Sequence, residues 1–316
     1  MDGVCVDQLQ KKNKAVFRGK RSLMVLLSFV PRWMALTRAV SIMAIAGVLV
    51  PLLAGHLLAV PRAVTPRRII SLVPNITEEL YDLGVQERLI GVTTYCQRPQ
   101  EAQSKEKVGA VVEVNVERII SLQPDLIIAS PLTDHKQIQK LRAVGLRVEV
   151  FQPSHDFKGL CNEFLRLGRL VGAEHKAQAI VKRAEEAVAG IAAKVRKRPA
   201  PRVFVQIGTR PLVAVGRDSF LDDCVAFAGG VNIAHEVKTS VYSREEVVRK
   251  DPDIILVAQM GLAGEEEKAA WMKYKTIKAV QGGRIYIVDP YRFCSSTPLN
   301  FIESVQELAR LFHGSV

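Results

Sequence analysis

The sequence predicts an α/β protein of two lobes with mostly parallel sheets, joined by a long connecting helix. Short apolar runs alternate with amphipathic segments from residue 67 onward, which is typical of parallel sheets covered by helices on both faces. One helix-to-strand unit occurs twice, 128 residues apart, with a long helical stretch between the copies. We therefore expect a leader over 1–63, lobes over 64–159 and 201–316, and a connecting helical region over 160–200.

The first 63 residues have the pattern of an export signal. Basic residues precede a mostly apolar stretch over 40–59, and small residues follow it. This order is typical of a secretory signal peptide. Met34 would give a shorter basic flank, so a true start at Met34 is one expectation. An uncleaved membrane anchor is the alternative to cleavage, and no Cys lies near the exit for lipid attachment.

The net charge of +12 is concentrated in this leader, which holds nine basic and two acidic residues. The remaining 253 residues are only mildly basic and contain no Lys/Arg run with interleaved aromatic residues. Such a run is expected of a nucleic-acid surface. We therefore expect no nucleic acid as a partner.

Four apolar runs bounded by turn residues predict the strands of the first lobe. They lie at 67–73, 89–93, 126–129 and 147–151. Helices are predicted from Pro74 to Gly84, after Asn115, and over 134–144, with another starting near Asp156.

The segment over 160–198 is rich in Ala, Glu, Lys and Arg, with apolar residues at helical spacing. Gly168, Gly172 and Gly190 are the candidate breaks, and Pro199 and Pro201 end the segment. The position between the two repeated units predicts one long connecting helix. An ordinary surface helix is the alternative.

The second lobe has the same alternation of strands and helices as the first. Strands are predicted at 202–207, 212–215, 254–257 and 284–288. Helices are predicted from Asp218 to Gly229, after Ser243, and over 265–274 and 299–312, with a loop over 289–298.

The repeated unit places one glutamate at an equivalent position in each lobe. Asn115 and Ser243 are good N-caps, and Glu117 and Glu245 follow two residues later, where the helix dipole favours negative charge. Each helix is followed by a Pro-Asp pair and a four-residue apolar run that predicts a buried strand. The repeat therefore predicts two equivalent surface sites, one in each lobe, each with one glutamate.

Ligands of parallel sheets bind at the carboxyl ends of strands, so the loops there are the candidate site. Aromatic rings with scattered arginines suit a large, partly flat and partly anionic ligand. The residues over 259–261 are expected to help form this cleft. The candidate ligand-binding residues are Asn75, Tyr95, Ser130, Pro131, Arg210, Pro211, Tyr291 and Arg292.

The sequence contains few patterns that are typical of catalytic sites. The chain has no G-x-S-x-G elbow, P-loop or H-E-x-x-H motif, and its histidines are scattered. We expect no catalytic residues, no resident metal and no cofactor. His135 and His155 lie near strand ends and are the alternative as ligands to iron or to a corrinoid cobalt.

The body contains four cysteines, Cys96, Cys161, Cys224 and Cys294, without zinc spacing. An exported compartment permits disulfides. We expect a disulfide between Cys224 and Cys294, because both fall in the second lobe, and four unpaired thiols are the alternative.

Several segments carry a family resemblance that covers residues 67–312. The stretches 68–75, 91–96, 114–129, 219–234 (with Ala-Gly-Gly-Val-Asn-Ile over 228–233) and 243–257 resemble the class III, helical-backbone periplasmic binding proteins of ABC importers. Their cobalamin-binding branch is the most similar. The resemblance implies a monomer in the periplasm that holds a small molecule between two lobes and delivers it to an ABC permease dimer. It further implies that Glu117 and Glu245 meet arginines on the two permease subunits.

The resemblance is weakest at the ligand. Cobalamin binders of this branch stack the corrinoid on tryptophans, but this chain has only Trp33 and Trp271, and Gly109-Ala110-Val111 stands where the family carries a Trp. Cobalamin or a related corrinoid is the first expectation, and a ferric siderophore or heme is the alternative. An exported enzyme resembling a metal chelatase and a membrane-anchored sensory domain are the rival classes.

Overall fold

A computed structural model describes residues 65–237, 241–258 and 263–314. The predicted leader, the candidate start at Met34 and the predicted cleft residues over 259–261 lie outside these ranges. Val64–Val316 form one compact unit. Within the described ranges, no helix combines the length and the apolar character that a membrane span requires.

The first sheet has four parallel strands in the order β2-β1-β3-β4. Its strands are β1 (Ile69–Ser71), β2 (Leu89–Val92), β3 (Leu126–Ala129) and β4 (Val148–Val150), and its helices are α1 (Pro74–Asp82), α2 (Val116–Ser121) and α3 (His135–Ala143). We call this sheet with its helices the N-terminal lobe. All four strands were predicted, because buried parallel strands are continuous apolar runs.

The connecting region consists of two helices, α4 (Phe157–Leu170) and α5 (Glu174–Val195), which pack against each other. The predicted long connecting helix is α5, and the helical segment predicted over 160–198 is divided at one of its three candidate breaks. The chain breaks at Gly172, whose φ of +69° is a left-handed conformation that ends a helix readily only at glycine. Gly168 and Gly190 lie inside helices. With 22 residues, α5 is about 33 Å long.

Gly168 lets α4 approach α5 closely. A Cβ at this position would lie 2.4 Å from the Ala177 Cβ, whereas a Cβ at Gly190 would meet nothing within 4 Å. We expect Gly168→Ala to lower the free energy of unfolding by about 1–2 kcal/mol, because the helices must separate. Gly190→Ala is the matched control and should raise it by up to about 1 kcal/mol. Urea unfolding of both variants measures this, and equal effects would contradict the proposed close approach.

The second sheet follows α5. Its strands are β5 (Arg202–Thr209), β6 (Leu212–Ala214), β7 (Val231–Asn232), β8 (Ile254–Val257) and β9 (Ile285–Ile287), in the order β6-β5-β8-β9 with β7 also paired to β5. Among the described strands of this sheet, only the β5–β6 pair is antiparallel. Its helices are α6 (Phe220–Phe227), α7 (Arg244–Lys250), α8 (Ala263–Trp271), α9 (Lys278–Gln281), α10 (Pro290–Cys294) and α11 (Pro298–His313).

This second sheet with its helices is called the C-terminal lobe. The structure adds three elements to the sequence prediction there: β7, α9, and α10 inside the segment 289–298 that was predicted as a loop. The two sheets and the helices between them confirm the predicted fold class. The lobe boundaries 64–159, 160–200 and 201–316 remain a prediction.

The repeated unit is also repeated in its hydrogen bonds. In the N-terminal lobe, the Asp125 carboxylate accepts from the backbone N–H of Arg68 at 3.0 Å, and the Arg68 guanidinium donates to a carbonyl at the end of α2 at 2.6 Å. In the C-terminal lobe, Asp253 accepts from the Arg202 N–H at 2.8 Å, and Arg202 donates to a carbonyl at the end of α7 at 2.9 Å. An aspartate and an arginine thus bind each helix end to the start of the neighbouring strand.

The residue before each Pro of the repeat has a left-handed backbone. Gln123 has φ +47° and Asp251 has φ +43°, the two non-glycine residues with positive φ among those described. A left-handed residue turns the chain out of the helix, and the following Pro prevents its continuation. The duplication is therefore visible in the backbone as well as in the sequence.

The apolar core is continuous between the lobes. One buried cluster runs from Ile69 in β1 through α4, α5 and α11 to Val203 in β5. At its centre the rings of Phe157 and Phe301 stack with centroids 4.4 Å apart. The helices α4, α5 and α11 therefore form a shared layer that holds both sheets.

The four described cysteines are free thiols, so the predicted Cys224–Cys294 disulfide is wrong. Cys224 is fully buried in α6 among core residues. Cys294 is exposed at the end of α10. The two cysteines belong to the same lobe but do not form a bond, so the alternative of unpaired thiols is the one observed.

Candidate functional site

A cavity of about 660 Å³ lies between the two lobes, in the middle of the usual range for small-molecule sites. The loops at the carboxyl ends of β1, β2, β3 and β4 line one side, and α10 with the start of α6 lines the other. Most of the lining is apolar. Its residues are Val73, Pro74, Asn75, Ile76, Glu79, Tyr95, Ala110, Val111, Val112, Glu113, Ser130, Leu132, Phe151, Gln152, Pro153, Ser154, Leu160, Glu163, Phe220, Tyr291, Cys294, Ser295 and Ser296.

Four of the eight predicted ligand-binding residues line this cavity. Asn75 is in the first turn of α1, Tyr95 follows β2, and Ser130 follows β3. Tyr291 comes from the opposite lobe, in the first turn of α10. The cavity therefore has a tyrosine on each side, and Tyr95 is about half exposed. Their role in binding remains a prediction.

The other four predicted residues lie outside the cavity. Pro131 is exposed beside Ser130, and Arg210 and Pro211 are exposed at the turn between β5 and β6. Arg292 donates to Glu307 at 2.7 Å. Because the segment 290–294 is a helix instead of a loop, adjacent residues point in different directions, and Tyr291 lines the cavity while Arg292 contacts α11.

Arg98 also pairs with acids away from the cavity lining. Its guanidinium lies 3.4 Å from Glu78 in α1 and 3.2 Å from Asp289, which precedes α10. The Asn300 amide of α11 donates to the same Glu78 at 3.3 Å. Burial raises the pKa of Glu78, and the charge of Arg98 opposes this. Arg98 therefore joins the two lobes with an ion-pair bridge.

A tight turn over 109–114 forms the lip of the cavity. Gly109 has φ +113°, and a Cβ there would lie 2.8 Å from the Glu113 carbonyl oxygen, so only glycine fits. The Ala110 N–H donates to that same oxygen at 2.8 Å. The turn exposes 60% of Val112, beside Leu132, which is 66% exposed. Two exposed aliphatic side chains thus stand at the lip of the cavity.

The charged residues that line the cavity are all acids. They are Glu79, Glu113 and Glu163, and no Lys, Arg or His belongs to the described lining. Glu163 is neutralised by Arg166, which donates to it at 2.9 Å from outside the cavity. The predicted arginines do not belong to the described lining, because each of them is either paired with an acid or exposed elsewhere, and their role in binding remains a prediction.

Glu79 lines the cavity but was not among the predicted residues, although its helical spacing from Asn75 could have indicated it. It lies four residues after Asn75 on α1, so both share one face of the helix. Only 3% of Glu79 is exposed, and burial raises the pKa of its carboxyl group well above the usual value. A search restricted to loops could not include it.

Cys294 lines the cavity on the same helix as Tyr291. The atoms packed around its sulfur raise the pKa of the thiol to about 11, although the residue is partly exposed. Cys294 is therefore a neutral thiol at neutral pH, with weak nucleophilicity.

Glu117 and Glu245 occupy equivalent exposed positions in the first turns of α2 and α7. The N-caps are present as predicted, with Asn115 accepting from the backbone of α2 at 2.9 Å and Ser243 accepting from α7 at 3.1 Å. Within the described ranges neither glutamate forms an ion pair, whereas the adjacent Glu246 pairs with Arg249. Each lobe thus presents one unpaired carboxylate at a helix N-terminus.

Comparisons with known proteins agree on one family. The family model described as "Periplasmic binding protein" matches residues 69–291. An uncharacterized ABC transporter substrate-binding lipoprotein, YvrC of Bacillus subtilis, is 32% identical over 253 residues, or 77% of this chain and 79% of that protein. A vitamin B12-binding protein of Vibrio parahaemolyticus is 27% identical, over 65% of this chain and 75% of its own. The crystal structure of a periplasmic heme-binding protein from Pseudomonas aeruginosa has a TM-score of 0.68 at 25% identity, covering 79% of this chain and 94% of that one.

Proposed function

Because this chain belongs to the family of periplasmic binding proteins, we propose that it captures a corrinoid of the cobalamin type and delivers it to an ABC permease dimer. The proposed binding site is the cavity between the lobes. The proposed location is outside the cytoplasm, as the predicted signal segment and the lipoprotein relative both favour. The protein is proposed to act as a monomer without a resident cofactor.

The choice of a corrinoid as the proposed ligand rests on the charged residues of the cavity. Heme has two carboxylates and many ferric siderophores are anionic, so sites for them gain from basic residues. The described lining has acids and no base. A corrinoid with neutral carboxamide groups needs no basic partner, and its flat ring matches an apolar cavity with Tyr95 and Tyr291 on opposite sides. The vitamin B12-binding relative supports the same choice.

Heme is the second candidate, because the two tyrosines that line the cavity have the chemistry of an axial ligand to ferric iron. The heme-binding structural neighbour favours it. His135 and His155 do not belong to the cavity lining, so a histidine ligand from the described residues is not part of this proposal.

Binding without catalysis is proposed as the activity. The relatives reported above are named as binding proteins. An exported enzyme resembling a metal chelatase would need a proton acceptor and a group of metal ligands at the cavity. A search of the described residues finds no group of three or more His, Cys, Asp or Glu side chains suited to a metal ion.

Isothermal titration of the purified protein with cyanocobalamin, hemin and a ferric siderophore panel tests the ligand. We expect cyanocobalamin to bind with a dissociation constant of about 1 μM or tighter. Hemin should bind at least about tenfold more weakly, a difference of about 1.4 kcal/mol. If hemin binds more tightly than cyanocobalamin, heme becomes the proposed ligand instead of the corrinoid. If no compound binds, the proposed class of ligand is contradicted.

A further inference from the structure

Glu79 places a buried carboxyl group against the proposed ligand cavity. It is 97% buried, as its exposed fraction of 3% shows, and it is part of the cavity lining. An acid that is buried without a partner is costly, so such groups are usually paired or exposed. No ion pair to Glu79 occurs within 65–237, 241–258 and 263–314. A group of this kind at a cavity wall is suited to receive a ligand.

The groups around Glu79 come from two helices. On α1 these are Asn75, Glu78 and Asp82, and on α4 it is Glu163, whose partner is Arg166. After desolvation, the charge of Asp82 opposes ionisation of Glu79 most, a hydrogen bond from the Asn75 amide favours it, and the charges of Glu78 and Glu163 oppose it to a smaller extent. Desolvation is the largest cause of the raised pKa, so Glu79 holds its proton in the empty protein well above the pH at which an exposed glutamate ionises.

A neutral carboxylic acid offers one O–H donor and one carbonyl acceptor side by side. A primary carboxamide offers the complementary pair, an N–H donor and a carbonyl acceptor. The two groups therefore form two hydrogen bonds at once and leave no charge buried.

We propose that Glu79 determines ligand specificity by binding a primary carboxamide of the ligand through these two hydrogen bonds. The inference rests on the proposed function, since corrinoids of the cobalamin type carry primary carboxamides around the ring. It extends that function by naming the protein group and the ligand group that meet.

Other ligand groups would give different behaviour at Glu79. A ligand carboxylate would be repelled by the surrounding acids whenever any of them is ionised. A ligand ammonium group would bind the ionised form of Glu79, so its affinity would rise with pH. A carboxamide needs the protonated form, and its affinity falls with pH. The sign of the pH dependence therefore separates a cation from a carboxamide.

Isothermal titration of the full-length protein with cyanocobalamin from pH 5.5 to 8.5 measures this sign, because cyanocobalamin keeps its charge over that range. We expect the wild-type dissociation constant to rise with pH, by about tenfold once Glu79 has lost its proton completely. Glu79→Gln keeps a donor and an acceptor without titrating, so its dissociation constant should stay constant within about threefold. Glu79→Leu should bind about tenfold more weakly than wild type at pH 5.5.

Asp82→Asn is the matched control, since Asp82 is on the same helix but not in the cavity lining. The loss of affinity with rising pH should persist in this variant, with its midpoint at lower pH, because the charge of Asp82 is one of the causes that raise the pKa of Glu79. Thermal unfolding of each variant checks that it is folded.

A second probe tests the ligand side. Dicyanocobinamide retains the ring carboxamides, and dicyanocobyrinic acid has carboxylates in their place. We expect the wild-type protein to bind the carboxamide compound at least about a hundredfold more tightly, and Glu79→Leu to reduce this preference.

The outcomes separate the inference from the function on which it rests. Absence of wild-type binding to cyanocobalamin and dicyanocobinamide at every pH would contradict the corrinoid ligand and, with it, the inference. Wild-type binding that is independent of pH and unchanged in Glu79→Leu would overturn the inference alone. If the affinity rises with pH in the wild type but not in Glu79→Gln, the ligand group that binds Glu79 is a cation and not a carboxamide.

Discussion

Uptake of cyanocobalamin is expected to fall at least tenfold when Glu117 and Glu245 are both changed to glutamine, while the affinity of the purified protein for the ligand stays unchanged. Both carboxylates are exposed and unpaired among the described residues, and both stand at equivalent helix N-termini. They are therefore available to arginines on a two-fold symmetric permease. Uptake of radiolabelled cyanocobalamin by the native organism, carrying the substitutions in its own gene, measures the effect.

Single substitutions should give intermediate uptake, because each removes one of two equivalent contacts. Glu186→Gln is the control: Glu186 is also an exposed helical glutamate, but it lies on α5 outside the repeat. This control should keep full uptake. Wild-type uptake in the double variant would exclude the docking role and leave the two glutamates only their favourable interaction with the helix dipoles, worth about 0.3–1 kcal/mol each.

The protein is expected to lose stability as the pH rises from about 4 to 7, and Asp82→Asn should remove much of this loss. Burial raises the pKa of Asp82 from 3.8 to about 7, the charge of Glu78 adds to the increase, and Lys176 and Thr297 oppose it. Between these pH values the folded protein binds a proton that the unfolded chain releases, so the free energy of unfolding falls with rising pH. The loss from Asp82 is on the order of 4 kcal/mol when complete.

Urea unfolding at pH 5 and pH 8 measures this change. Asp82→Asn should be more stable than wild type at pH 8 and should show the smaller difference between the two pH values. The buried Glu79 has a pKa shifted in the same direction, so part of the pH dependence should remain in this variant. A wild-type stability that rises from pH 5 to pH 8 would contradict the prediction.

Asp251→Asn supplies a control of opposite sign. The Lys278 backbone N–H donates to Asp251 at 2.9 Å, and this hydrogen bond holds the pKa of Asp251 below its usual value. Asp251 therefore contributes stability above its unfolded pKa and loses it as the pH falls through the folded value. Its substitution should lower stability at both pH 5 and pH 8, and an increase at pH 8 would indicate that any aspartate substitution stabilises the protein.

The strands and the repeat were predictable because the same residues that carry the pattern also make the structure. A run such as Leu126–Ala129 is buried on both faces, and its sequence is apolar for that reason. The helical stretch after Leu160 was predicted, but its division was not, since three glycines were equal candidates. The tertiary contact of Gly168 with Ala177 and the left-handed backbone of Gly172 distinguish them, and neither is visible in the sequence.

The site was predictable to the extent that strand ends determine it. Asn75, Tyr95 and Ser130 follow strands of one sheet, and parallel topology brings them together. The arginines were not predictable in the same way, because a long charged side chain goes where an acid is available. Arg292 contacts Glu307, which is fifteen residues away in sequence, and only the packing of α10 against α11 brings them within reach.

The continuous apolar core has a consequence for the rate at which a ligand leaves. Moving the lobes apart would disturb the shared layer of α4, α5 and α11, to which the stacked rings of Phe157 and Phe301 belong. Burying such side chains contributes about 1.5–3 kcal/mol each, so thermal motion seldom opens the cavity widely. We therefore expect a bound ligand to dissociate slowly from the free protein, and a partner that moves the lobes apart to shorten its residence time.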